Sequence, residues 1–159
     1  MNWYKKAQEK TQIMYHNTPA NLIPQILQQG LKINSPYVKS QASQWFIPEA
    51  YETRPIFLSL TPNLFKEEGD VTLSVDITGL PLVADIPSLT HYGAHYSDAK
   101  EGIWFEEGKT PAALQEYDYD GTLYYEDLLD PNFSLAQTCI QLTKSAACLQ
   151  DIPPQRIKT

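Results

Sequence analysis

Apolar positions break the chain into short stretches whose period changes from one to the next. At the start, Trp3, Tyr4 and Ala7 share one face of a short helix, while the Lys and Glu residues beside them face water. Gln12 to His16 (QIMYH) reads as a strand. Asn21 then caps a helix with Pro24 in its first turn, where a missing N–H costs little, and with Leu22, Ile23, Ile26 and Leu27 as its apolar stripe. Gly30 stops that helix, and Leu31 folds back over its last turn.

From Ser35 to Thr53 the pattern is polar and irregular around an aromatic island at Trp45 and Phe46, which predicts a long surface loop. The clearest strands are Pro55 to Leu60 (PIFLSL) and Val71 to Ile77 (VTLSVDI). In the second, Val71, Leu73, Val75 and Ile77 alternate with Thr72, Ser74 and Asp76. Between them TPNLFKEEGD allows one helical turn. Pro81 to Ile86 reads as another short strand, followed by a loop holding His91 and His95. Gly102 to Glu106 is a weaker strand, and Phe133 to Leu142 fits either a helix or a strand. Ser145 to Leu149 is a small-residue strand stopped by Asp151-Ile152-Pro153-Pro154. Strands outnumber helices after residue 50, so the expected fold is α+β: a single domain over residues 1–159, with a mostly antiparallel sheet and short helices.

Composition narrows the function classes. With 159 residues and 42% hydrophobic content the chain can bury one core but is short for two. Net charge is −7 with only 12 Lys and Arg, so no basic surface is expected for a polyphosphate backbone, and nucleic acid is set aside as main partner. The absence of an 18-residue apolar run predicts no membrane span, and MNWYKKAQEK lacks the apolar centre of a signal peptide. The expected compartment is the cytoplasm. Cys139 and Cys148 read as buried free thiols.

His16 ends an apolar run just before a helix. In that position it either holds a ligand against uncommitted backbone groups or is a structural histidine bonded to a loop carbonyl. Tyr15-His16-Asn17-Thr18, followed by Asn21-Leu22-Ile23, Ile26-Leu27 and Gly30-Leu31, resembles the opening block of the ADP-ribosyltransferase-like superfamily, which reads Tyr-His-Gly-Thr, a short helix and Gly-Leu. Later pieces keep the family order. PIFLSLTPNLF is similar to its second block, VTLSVDITGLPLVADI to its next strand and the segment after it, and SAACLQDIPPQRI to its last strand with Ile-Pro-Pro-x-x-Ile.

The resemblance implies a split β-sheet that binds NAD as substrate, releases nicotinamide and transfers ADP-ribose to an acceptor such as a protein. It implies that His16 bonds a ribose hydroxyl, that the Asn17 backbone meets the nicotinamide amide, that Thr18 stiffens the corner, and that Ser59 supports the nicotinamide ribose. Active members often carry Glu on a late strand, where QLTKSAACLQ offers Gln141, Lys144 and Ser145. Either a loop carboxylate completes the catalytic set, with Glu101 the first candidate beside Glu106 and Glu126, or the domain is a non-catalytic nucleotide- or protein-binding module. Asn17 in place of Gly is a second departure. The related RNA 2'-phosphotransferases share the histidine block but need several basic residues, and Arg occurs only at positions 54 and 156.

Two further patterns rank lower. Glu116, Asp118, Asp120 and Gly121 follow a calcium-loop spacing, but Glu116 stands where Asp is usual and Asp127 where Glu is usual, which favours a solvated acidic turn. His91 and His95 have HxxxH spacing, but Gly93 opposes a shared helix and no third ligand is evident, so no metal is expected.

Overall fold

The structure, a computed structural model, describes residues 12–35, 49–97 and 99–159. The expected helix at Trp3, Tyr4 and Ala7 and the island at Trp45 and Phe46 lie outside these residues. The strands described are β1 (Ile13–Pro19), β2 (Ile56–Ser59), β3 (Asp70–Asp76), β4 (Leu82–Ala84), β5 (His95–Ser97), β6 (Gly102–Trp104), β7 (Leu123–Tyr124), β8 (Ser145–Cys148) and β9 (Ile157–Lys158). The helices are α1 (Ile23–Gln29), α2 (Ile86–Leu89), α3 (Tyr125–Leu128) and α4 (Ser134–Thr143). Six strands form one sheet in the order β4-β8-β2-β1-β3-β9, and β5-β6-β7 form a second; every pairing is antiparallel. The α+β class and the mostly antiparallel sheet are therefore as expected.

Alternation places the core. Met14, Leu58, Leu73, Val75, Ile77 and Leu82 are buried with Ile26 of α1 and Leu31 after it. Val83 and Ala147 instead join a second cluster with Leu89, Ile103, Leu123, Leu135 and Cys139. Each fully buried Leu or Ile contributes about 1.5–3 kcal/mol, so the two clusters fix the large sheet between α1 on one side and α4 with the small sheet on the other. The ambiguous segment Phe133 to Leu142 resolves as the helix α4, because Leu135, Ala136, Cys139 and Ile140 recur at helical spacing and are all buried. Cys139 and Cys148 are free and buried, and burial pushes the Cys139 thiol up to about 12.

Three local expectations need correction. TPNLFKEEGD forms turns without a helix: Phe65 sits at φ 66°, outside helical space, and the Asn17 side chain ties down the carbonyls of Pro62 and Leu64. The strand begun at Pro81 ends at Ala84, because Asp85 caps α2 by accepting from the Ser88 N–H at 3.1 Å. Asn21 is part of a single 3-10 turn, and Leu22, not Asn21, precedes α1.

α1 ends at Gly30, with φ 84°, where an added Cβ would lie 2.1 Å from the Ile152 carbonyl oxygen. Leu31 and Ile152 exchange backbone hydrogen bonds of 2.9 and 2.8 Å. Arg156 donates from Nη1 to the carbonyls of Asp76 and Thr78 at 3.0 and 2.7 Å, and Ile157 pairs with Val75. The Ile-Pro-Pro-x-x-Ile segment thus acts as a latch between α1 and the end of β3.

Candidate functional site

The large sheet is split at its centre. β1 pairs with β3 at seven successive positions and β2 with β8 at four, but β1 meets β2 only at Tyr15 opposite Ser59. Beyond that pair the two strands diverge and a cleft of about 160 Å³ opens between them, covered on one side by α1. His16, Asn17, Thr18 and Ser59 all line it.

His16 bridges the split. Its Nδ1 lies 2.9 Å from the Phe57 carbonyl oxygen. A carbonyl can only accept, so Nδ1 carries the proton and Nε2 keeps its lone pair. Burial lowers the pKa of His16 below the ordinary 6.5, and this outweighs the Phe57 hydrogen bond and the Asp70 charge, which raise it. The ring is therefore neutral at pH 7 and offers an acceptor.

Asn17 has a role that the sequence comparison did not suggest. Its Nδ2 donates to the carbonyls of Pro62 and Leu64, both at 3.0 Å, and its Oδ1 accepts from Thr72 Oγ1 at 2.6 Å. The side chain is committed to holding the turn that brings Leu64 and Phe65 to the cleft wall. Thr18 is buried opposite Val71 on β3. Ser59, 1% exposed, donates from Oγ to the Thr61 carbonyl at 2.8 Å, with the Tyr15 carbonyl at 3.4 Å. With its proton engaged, its oxygen is left to accept.

Glu101 is not brought to these residues. It is exposed in the turn before β6, at φ 51°, and neither it, Glu106 nor Glu126 lines the cleft. The carboxylates that line it are Glu67, Asp70 and Asp85. Asp85 is the buried one: Ser88 donates to it from its N–H at 3.1 Å and from Oγ at 2.7 Å, and Ser145 on β8 is a further hydrogen-bond partner. Burial raises its pKa, and those hydrogen bonds pull partly the other way. Tyr51 fixes this corner, donating to the Ala84 carbonyl at 2.8 Å and accepting from the Ile86 N–H at 2.7 Å. One sign of Asp85 was legible in the chain: a lone acid between the apolar LVA and the helix-starting Ile-Pro-Ser.

The lower-ranked patterns fold into other things. Asp120 and Gly121, at φ 55° and 79°, form a two-residue hairpin turn closed by reciprocal Tyr119–Thr122 hydrogen bonds. His91 is exposed in a 3-10 turn, whereas His95 lies on β5, stacked on Trp104 at 4.4 Å. Among the described residues no group of three or more His, Cys, Asp or Glu is placed to hold a metal ion, and no helix is long and apolar enough to cross a membrane.

The site is thus a cleft in a split antiparallel sheet, with a neutral histidine, an accepting serine and a buried carboxylate. The chain matches no family model, no curated protein and no solved structure.

Proposed function

We propose that the cleft binds NAD by its nicotinamide ribose and that the chain cleaves the nicotinamide glycosidic bond, passing ADP-ribose to an acceptor, in the manner of the ADP-ribosyltransferase-like superfamily. The observation that carries this reading is the convergence of His16 and Ser59, from two diverging strands, on one cleft that also contains a buried carboxylate. As nicotinamide leaves with the bonding electron pair, the anomeric carbon becomes electron-poor, and a fixed negative group beside it lowers the barrier. His16 Nε2 accepts from a ribose hydroxyl, and Ser59 Oγ accepts from a second donor on the same half of the ligand. Asp85 takes the part of the Glu that the late strand lacks. The acceptor's nucleophile bonds to the anomeric carbon and its proton passes to Asp85, whose raised pKa suits it as a base.

Incubation with labelled NAD and a panel of acceptors tests this. Nicotinamide release with label transfer is expected. Asp85→Asn, which keeps an oxygen for the Ser88 N–H, should lower release by about a hundredfold or more while thermal unfolding stays cooperative. Saturable NAD binding weakened by His16→Ala, without release, would leave a nucleotide-binding module on the same framework. Neither binding nor release would remove the nucleotide reading altogether.

A further inference from the structure

Resting on the reading above, the character of the cleft says which part of such a ligand it is built to hold. Three side chains carrying carboxyl groups line it, Glu67, Asp70 and Asp85. The basic partner among its described lining residues is Lys32, whose Nζ is already 3.6 Å from Asp151 Oδ2. Pyrophosphate sites are built from Arg, Lys or the amides of a helix N-terminus. A wall of this charge repels a pyrophosphate and attracts a cation.

The apolar lining points the same way. Tyr15, Phe57 and Phe65 line the cleft, and aromatic faces attract cationic groups. Phe65 is held at φ 66°, a conformation that a bulky residue rarely adopts, and the turn containing it is pinned by the two Asn17 hydrogen bonds. Size agrees with charge: about 160 Å³ is below the roughly 300 Å³ at which pockets for larger ligands begin, too little to enclose a dinucleotide.

We infer that the cleft is specific for an N-ribosylated pyridinium cation and gains no affinity from a pyrophosphate, so that nicotinamide riboside binds more tightly than NAD. The pyridinium ring lies against the aromatic wall, its ribose reaches His16 Nε2 and Ser59 Oγ, and Glu67 and Asp70 supply the counter-charge. The rest of a dinucleotide extends into solvent past an acidic rim.

Calorimetric titration of the full chain with nicotinamide riboside, nicotinamide mononucleotide, NAD and NADH, at low and high salt, decides the matter. The expected order is riboside, mononucleotide, NAD, with NADH weakest because its ring carries no charge, and added salt should narrow the spread. Asp70→Asn retains an oxygen for the Glu67 N–H that Asp70 now accepts at 3.0 Å. It should weaken the riboside about threefold and strengthen NAD, opposite signs that a merely loosened fold would not produce. NAD binding more tightly than the riboside, or no better than NADH, overturns this inference and leaves the proposed function standing. Failure of all four to bind overturns both.

Discussion

The split in the large sheet and the small three-stranded sheet carry similar materials. Each has a histidine, a glycine pressed against a carbonyl and an acidic turn nearby. They differ in where the side chains spend their hydrogen bonds. At the split, His16 bonds Phe57 across diverging strands and Asn17 bonds a turn 45 residues away at Pro62, so polar side chains hold an open space apart. In the small sheet, His95 lies against Trp104 at the surface, 3.9 Å from Glu106, and both His95 and Glu106 are about half exposed. Residue types alone do not make a site; it needs strands that part and side chains that take over the missing ladder.

The glycines offer the strongest way to probe this contrast. Gly30→Ala places a Cβ against the Ile152 carbonyl at a left-handed φ, and should cost about 2–4 kcal/mol in chemical unfolding. Gly102→Ala places one 2.4 Å from the Leu123 carbonyl oxygen without that backbone strain, and should cost about 1–3 kcal/mol. Because Gly30 and Leu31 line the cleft, the first variant should also weaken ligand binding. Equal binding in both variants would show that the cleft does not depend on how α1 ends.

The histidines come next. His16→Ala leaves the Phe57 carbonyl without its side-chain donor and should cost about 1–3 kcal/mol; on the proposed function it should also weaken nucleoside binding about tenfold. His95→Ala should stay within about 0.5 kcal/mol and leave binding unchanged. A pH series gives the smallest effect. Because the folded state holds the His16 pKa below 6.5, the unfolded chain takes up a proton first as pH falls. The His16 contribution to stability is therefore full above pH 6.5 and is lost as pH drops from there toward the lower folded value. Urea unfolding between pH 5 and 8 should show this slope, and His16→Gln should reduce it.

Much of the frame was legible from period alone. The β1, β2, β3 and β8 segments and the stop at Gly30 were located because alternation and a left-handed glycine are local properties. His16 and Ser59 line one cleft, a juxtaposition that periodicity does not supply, because it depends on which strands pair and where they part. The significance of Asp85 is non-local: it becomes a cleft residue only when α2 and β8 close around it, whereas Glu101, Glu106 and Glu126 are exposed and do not line the cleft. The Asn17 tether was hidden for the same reason, since its partners Pro62, Leu64 and Thr72 are distant in the chain. α4 was ambiguous because its short apolar run suits either period, and burial against both cores decided it.

The latch joins segments far apart in the chain: Leu31 to Ile152, more than a hundred residues on, and Arg156 to the end of β3, 80 residues from Asp76 and 78 from Thr78. Such contacts form late, since the entropy of closing a large loop is paid before they repay it. During synthesis, therefore, the segment bearing His16 emerges long before α1 can be locked over it, and a nascent chain has no finished pocket until residues 152–157 have cleared the ribosome.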